Sequence, residues 1–555
     1  MQTAIDKATR WGRRNRLEFS APKTVVVIFT HKQINIPNLP KLEMNGYQIP
    51  YSNEVKYLGI WLDKRLTWIP HITKKINAAK KLLMTLKKAM GCVYGLRPRL
   101  LIWAYRAIVR PMLTYGSLVW AKVTQNPGVK AKLKKLQRLA LLNMGHFRKS
   151  TPTAGLEVMT CTTPLDTHIK QEAGMSHTRN LNTSKFENGE LRTPNNSSRI
   201  GHRQFISNFL ERIGFEGADD DKMEAEQVWE RKFVVDKDSF ADGKPPQECE
   251  GYEVYSDGSK TPQGETGSGV ALYRRCERGD RIFLHQYSYH LGTYNTVFQA
   301  EIYGIKRGAE LMYDRLLDRG ERDQKILFLV DSRSAIQAIN SPFVESIQVN
   351  NAISWLNMLA ENNYVRIQWV KAHAGHTGNE RADKCAKEGA IDAYNECSVD
   401  DVPLKSNTLI RTELREKILQ CWNHRWQTRE PCRQTKHFFP EIKKKLASDC
   451  TGKSRKEFFI LVQFMTGHNF LNRHSNLVNG NTDTHPDSFC SFCDAEVPET
   501  TLHVFAQCDR FAMTRREIFG DTILQPPFNF KLSNIMQYIK SVRIFQQYEE
   551  STNDE

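Results

Sequence analysis

Four acidic residues far apart in this 555-residue chain stand where local structure does not call for an acid. Asp257 closes an alternating apolar stretch through Tyr252 and Val254, which predicts a strand running into a turn at Gly258. Glu301 lies in Phe298-Gln299-Ala300-Glu301-Ile302-Tyr303, at the start of a predicted helix and on its inward side. Asp331 ends the apolar run Ile326-Leu327-Phe328-Leu329-Val330. Asp383 sits on a helix with Asn379, after the strand Trp369-Val370-Lys371-Ala372-His373 and a glycine-bearing loop. Oxygen ligands that leave coordination positions open suit Mg²⁺, with Mn²⁺ as a substitute, bound together with a phosphate substrate. Two such ions about 3.5–4 Å apart can activate a water and stabilise the leaving oxygen of an in-line displacement. Taken singly, each residue has an ordinary reading: a turn at Asp257, a solvated helix position at Glu301, an N-cap at Asp331. Their joint occurrence points to chemistry.

The elements that must carry these residues follow from periodicity. Strands are expected at 252–257, 267–274, 281–290, 325–331 and 364–371. Helices are expected at 296–317, 332–341, 348–361 and 378–390. Three consecutive strands followed by alternating helices and strands imply an α/β fold, a mixed five-stranded sheet with helices on both faces. The acids then fall at strand C-terminal ends and on adjoining helices, where such sheets place ligands.

With those motifs in this order, residues 251–395 resemble the type 1 ribonuclease H family. The resemblance implies hydrolysis of the RNA strand of an RNA–DNA hybrid, leaving 5′-phosphate and 3′-hydroxyl ends. It implies that Asp257, Glu301, Asp331 and Asp383 hold two Mg²⁺, with Asp257 bridging, and that His373 is the mobile-loop histidine aiding proton transfer or product departure. Gly258, Ser259, Thr296 and Asn379 become substrate contacts, Gly258 by close backbone approach to RNA and Thr296 through a DNA-strand phosphate. Two departures stand out. Val297 and Phe298 replace the Asn or Gln of cellular members, and residues 341–363 contain no Lys or Arg where many of those members carry a basic handle. The form Thr-x-Phe-Gln-Ala-Glu is similar to that of Jockey-like retrotransposons.

Composition agrees with a nucleic-acid partner. The chain has 79 Lys and Arg against 62 Asp and Glu, a net charge of +17, which favours polyanions through phosphate contacts. RNA–DNA hybrid and the backbones of RNA and DNA are the expected partners; nothing signals a protein partner. The first residues lack a leader's apolar run, and the longest apolar stretch, near Leu100 to Val109, is broken by Arg106. Twelve scattered cysteines read as reduced thiols. A soluble intracellular protein without a membrane segment is expected.

Residues 1–165 resemble the end of a reverse transcriptase of the non-LTR retrotransposon type. Val55-Lys56-Tyr57-Leu58-Gly59-Ile60-Trp61-Leu62-Asp63 looks like its primer-grip segment, followed by thumb-like helices rich in lysine, one with Ile72, Ile76, Ala79, Leu83 and Leu86 on its apolar side. The Tyr-x-Asp-Asp motif of polymerase chemistry is absent, so no DNA synthesis is expected. Residues 23–29 read as a further strand. Residues 166–250 read as a polar linker, with Asn195–Ser198 and Gly217–Asp221 its least structured parts and a short helix near 205–213. Residues 396–465 read as a basic helical connector. In 466–555, Cys490, Cys493, His503 and Cys508 follow the spacing C-x2-C-x9-H-x4-C. Three sulfurs and one imidazole close a tetrahedral Zn²⁺ shell and leave no open position, so the ion would be structural; His485 is an alternative ligand. This region resembles the C-terminal knuckle of the same polyproteins. The rival to an enzyme is a catalytically silent relic that binds RNA or hybrid.

Overall fold

A computed structural model describes residues 1–32, 39–88, 95–145, 147–181, 202–215, 221–236, 250–277, 279–391, 403–428, 432–479 and 488–543. Asn195–Ser198, residues 217–220 and His485 lie outside them. The chain divides into two compact units, one of Met1–Gly174, Arg199–Phe209 and Lys417–Glu555, the other of Met175–Ser198 and Leu210–Glu416. Among the described residues, no helix is long and apolar enough to cross a membrane.

The second unit is built on a mixed sheet. Its elements are β1 (Gly251–Lys260), β2 (Thr266–Arg275), β3 (Arg281–Gly292), α1 (Val297–Arg319), β4 (Lys325–Val330), α2 (Arg333–Ile339), α3 (Ile347–Leu359), β5 (Tyr364–Trp369) and α4 (Thr377–Ile391). β1, β2 and β3 are antiparallel neighbours, while β4 pairs parallel with both β1 and β5. Five residues of β4, Ile326 to Val330, are buried in succession, as expected of a central strand covered on both faces. Val254, Val270, Ile302, Phe328, Ile353 and Ile367 lie in one core.

The sheet has a sixth strand. Val234–Asp236 runs parallel to β5 on its outer edge, within the stretch expected to be linker. Lys222–Gln227, from the same stretch, pairs antiparallel with Phe343–Ser346. Asp221 ties the two together: its carboxylate accepts from the Gln348 amide at 2.9 Å and from Ser346 Oγ at 2.7 Å. A three-residue edge strand and a strand of mostly polar residues carry too little apolar pattern to be read from sequence.

Asp257 lies inside β1, which continues to Lys260, so Gly258 is not the turn expected there. The reason is a close approach. A Cβ at Gly258 would fall 2.7 Å from the backbone N of Glu301 and 2.9 Å from Ala300 Cβ. Gly267 and Gly269 on β2 similarly leave room for the backbone of α4. Missing side chains thus bring both acid-bearing helices against the sheet.

In the first unit, the run 54–63 is a hairpin, Glu54–Tyr57 with Ile60–Asp63, turning at Leu58 and Gly59. The expected strand at 23–29 makes a single bridge, Val26 to Tyr51. The helix Ile69–Lys88 buries Ile72, Ile76, Ala79 and Leu83 and exposes Lys80 and Lys81. The expected helix near 205–213 spans His202–Arg212. Further on, Phe505 meets Phe438, Phe464, Phe528 and Tyr538 with ring centroids 5.0–5.4 Å apart.

Glu157, in the helix Thr153–Met159, is buried and its carboxyl is pushed up to about 7 by burial, against the opposing pull of a hydrogen bond from Gln137. A carboxyl raised in the folded state contributes stability that is present below the unfolded value near 4.5 and lost as pH rises through 7. Glu157→Gln cannot ionise. Relative to the parent it is expected to gain stability between pH 5 and pH 8, by about 3 kcal/mol at most, read from denaturant unfolding at the two pH values.

Candidate active site and metal centres

Asp257, Glu301 and Asp331 come from β1, α1 and the end of β4, and one oxygen of each lies within 4.8 Å of the others. Asp331 is free for this because Ser332, not Asp331, caps α2, its Oγ accepting from the Ala335 amide. Asp257 and Glu301 are buried and Asp331 is half-buried. All three carboxyls are held above the usual range. Burial is the main cause; repulsion adds to it, from Asp331 and Asp383 on Asp257, from Asp257 and Asp331 on Glu301, and from Asp383 on Asp331. Two donors soften the repulsion, the Gly258 amide to Asp257 at 2.7 Å and Asn379 Nδ2 to Asp331 at 3.1 Å. Glu301 Oε2 is buried and has no hydrogen-bond partner among the described residues. An orphaned carboxylate oxygen beside two further acids is what a divalent cation with oxygen ligands would complete.

Asp383 stands slightly apart from this trio. Its carboxylate pairs with Lys387 one turn on, at 2.7 Å, yet it is close enough to raise both Asp257 and Asp331. Sequence reading missed Lys387, although its i,i+4 spacing was visible. His373 lies in the exposed loop between β5 and α4 with φ +53°, and its charge lowers Asp331. Of the expected substrate contacts, Asn379 is buried and turned to Asp331. Thr296 caps α1, with its side chain and that of Gln299 closing a reciprocal pair of hydrogen bonds. Gly258 faces α1 as described, and Ser259 pairs with Gly267 within the sheet.

The family comparison bears on this same region. The RNase H family model matches residues 250–391. These residues form a ribonuclease H domain. The chain is also similar to retrotransposon proteins. It is 27% identical over 170 residues to a Pol polyprotein of the type-1 retrotransposable element R1 of Bradysia coprophila, covering 30% of this chain and 17% of that one. It is 26% identical over 157 residues to the RNA-directed DNA polymerase of the mobile element jockey of Drosophila melanogaster, covering 27% and 15%. A ribonuclease H of Stutzerimonas stutzeri is 32% identical over 91 residues, 14% of this chain and 60% of that protein. The matched segments thus span less than a fifth of the two retrotransposon proteins.

Away from the ribonuclease H domain, Cys490, Cys493, His503 and Cys508 come together in the first unit, their ligand atoms within 4.8 Å of one another. Cys490 and Cys508 sulfurs are 3.9 Å apart, and Cys493 Sγ is 3.4 Å from His503 Nε2. Tetrahedral Zn²⁺ with bonds of about 2.3 Å to sulfur and 2.0–2.1 Å to nitrogen requires edges of roughly 3.8 and 3.6 Å. The donor set therefore fits zinc in both type and spacing. Buried Glu499, which sequence reading passed over, holds the knuckle by accepting from the Ser491 amide at 2.8 Å and the Asn472 amide at 3.0 Å.

Two outcomes are expected. Asn379→Ala should weaken divalent-cation binding by about 10–100-fold, as loss of a ligand-orienting partner does, measured by titration calorimetry with Mn²⁺. Cys493→Ser, or a strong chelator, should remove about one zinc per chain by atomic emission. It should also lower the unfolding midpoint, because structural zinc binding, worth about 10–16 kcal/mol in small domains, is folding energy.

Proposed function

We propose that this chain hydrolyses the RNA strand of RNA–DNA hybrids by a two-metal mechanism. The convergence of Asp257, Glu301 and Asp331 around the orphaned Glu301 oxygen carries this reading. These three, with Asp383, would hold a pair of Mg²⁺, which would supply water activation and charge stabilisation at the leaving oxygen. The chain does the rest. Asn379 fixes the orientation of Asp331. His373, on its exposed loop, takes or returns a proton at the scissile phosphate. Thr296 and Ser259 line the approach of the substrate backbone. Cys490, Cys493, His503 and Cys508 hold one structural Zn²⁺.

The alternative, a silent hybrid-binding protein, has one observation in its favour: Lys387 occupies Asp383. A labelled hybrid separates the two. The parent chain should release RNA fragments only with Mg²⁺ or Mn²⁺. Asp331→Asn should cut more slowly by on the order of 10²-fold or more, with hybrid binding retained in a mobility-shift measurement. Binding without any cation-dependent cleavage by the parent would leave the silent binder.

A further inference from the structure

Beneath the loop that carries His373 lies a second charged cluster with a different character. Glu253, on β1, has a side chain only 4% exposed, yet both of its oxygens are taken up: Arg275 Nε lies 2.8 Å from one and Arg281 Nε 2.8 Å from the other. Tyr255 donates to the same carboxylate at 3.2 Å. Arg281 also sits in the corner between two rings set at 79° to each other, its guanidinium 3.8 Å from the centre of the Tyr273 ring and 4.8 Å from that of Tyr255. A planar guanidinium held by an ion pair and two aromatic faces has little freedom left.

One edge of that rigid group is turned outward. Arg281 Nη1 donates to Thr377 Oγ1 at 2.9 Å, and Thr377 is the first residue of α4. The next residue rests on the same surface, since a Cβ at Gly378 would collide with Arg281 and with the Tyr255 ring. Two residues beyond Thr377, Asn379 donates to Asp331; on the next turn stands Asp383. The other end of the loop is tied down too, by the Val370 amide to the Val330 carbonyl at 3.0 Å. The His373 loop therefore hangs between two fixed points, and the first turn of α4 takes its position from Arg281.

We propose that Arg281 and Thr377 form a clamp that sets the position of α4, and with it Asn379 and Asp383, for divalent-cation binding at the ribonuclease H site. Both are positioning residues and neither touches the reacting atoms. The proposal rests on the functional reading above for its link to cleavage, and on the acid cluster alone for its link to the cation.

The test uses the full chain with Thr377→Val, which keeps shape and removes the hydroxyl, and Thr377→Ser, which keeps the hydroxyl. Calorimetric Mn²⁺ binding and the Mg²⁺ dependence of hybrid cleavage are measured, with the thermal midpoint as a fold control. Thr377→Val is expected to bind Mn²⁺ on the order of tenfold more weakly, to need correspondingly more Mg²⁺ for half-maximal rate, and to keep the KM for hybrid. Thr377→Ser should behave as the parent. Arg281→Lys keeps a charge opposite Glu253 but not the fork that reaches Thr377, so it should share the cation defect, and combining it with Thr377→Val should add nothing further. Cation affinity in Thr377→Val within twofold of the parent would overturn the clamp, as would a Thr377→Ser variant equally impaired. A parent that binds Mn²⁺ but never cuts hybrid would instead overturn the functional reading, and the calorimetric comparison would still decide the clamp.

Discussion

Two carboxylates on one face of β1, Glu253 and Asp257, are both buried, and they are treated in opposite ways. Glu253 is neutralised by two arginines. Asp257 is met instead by further acids, Glu301 and Asp331, whose repulsion adds to the cost of burial and holds all three carboxyls up. A fold that can deliver two guanidiniums to one position of this strand, and delivers none four residues on, keeps that second position open for a cation from outside. Removing charge from water without a partner is among the most expensive arrangements a protein interior can hold. The acid cluster is the point at which the rest of the domain bears that cost.

Close packing is what makes the repulsion unavoidable. If α1 stood one side chain further from β1, Glu301 could turn to water and the cluster would relax. The bare backbone at Gly258 removes that freedom, and Gly267 and Gly269 do the same for α4 against β2. Interiors are too densely packed for such contacts to adjust by small amounts, so sterics seat the helices against the sheet, and hydrogen bonds such as that of Asn379 to Asp331 set the side chains within that frame. The zinc-type cluster solves a similar problem by other means. The Cys490 and Cys508 thiols are also pushed up, by burial first and by neighbouring thiols, but they sit on a short knuckle held by Glu499 and on a turn whose Phe505 is locked among aromatic rings. There a bound ion would itself complete the local fold.

The residues that could do chemistry were legible in sequence because their type and order are unusual: Asp257, Glu301, Asp331 and Asn379 meet as the motifs suggest, and so do the four Cys and His ligands. The nine principal elements of the domain were legible because each has a clean period of two or of 3.6. What remained hidden depends on partners distant in sequence. Gly258 follows an Asp in a triplet that usually turns, and only the helix packed above it explains why the strand runs on. Asp331 and Ser332 are equally good caps by type; the geometry of β4 decides between them. Val234–Asp236 joins the sheet through backbone pairing that three residues cannot announce. Glu253, Arg281 and Thr377 look like ordinary surface charges and a loop threonine until the sheet brings them together.

The pairing of Asp383 with Lys387 looks at first like an obstacle to a fourth metal ligand. Its magnitude says otherwise. The Lys387 side chain is 57% exposed, and an ion pair at that exposure contributes about 0.2–1 kcal/mol at most. A divalent cation facing several carboxylates at once outweighs it easily. Glu253 stands at the other extreme: its side chain is only 4% exposed, and withdrawing Arg281 would leave that buried carboxylate with Arg275 and the Tyr255 hydroxyl as its remaining partners. The domain therefore sets a solvated lysine beside Asp383, where the pairing is weak, and buried arginines beside Glu253, against the first turn of α4, where it is not.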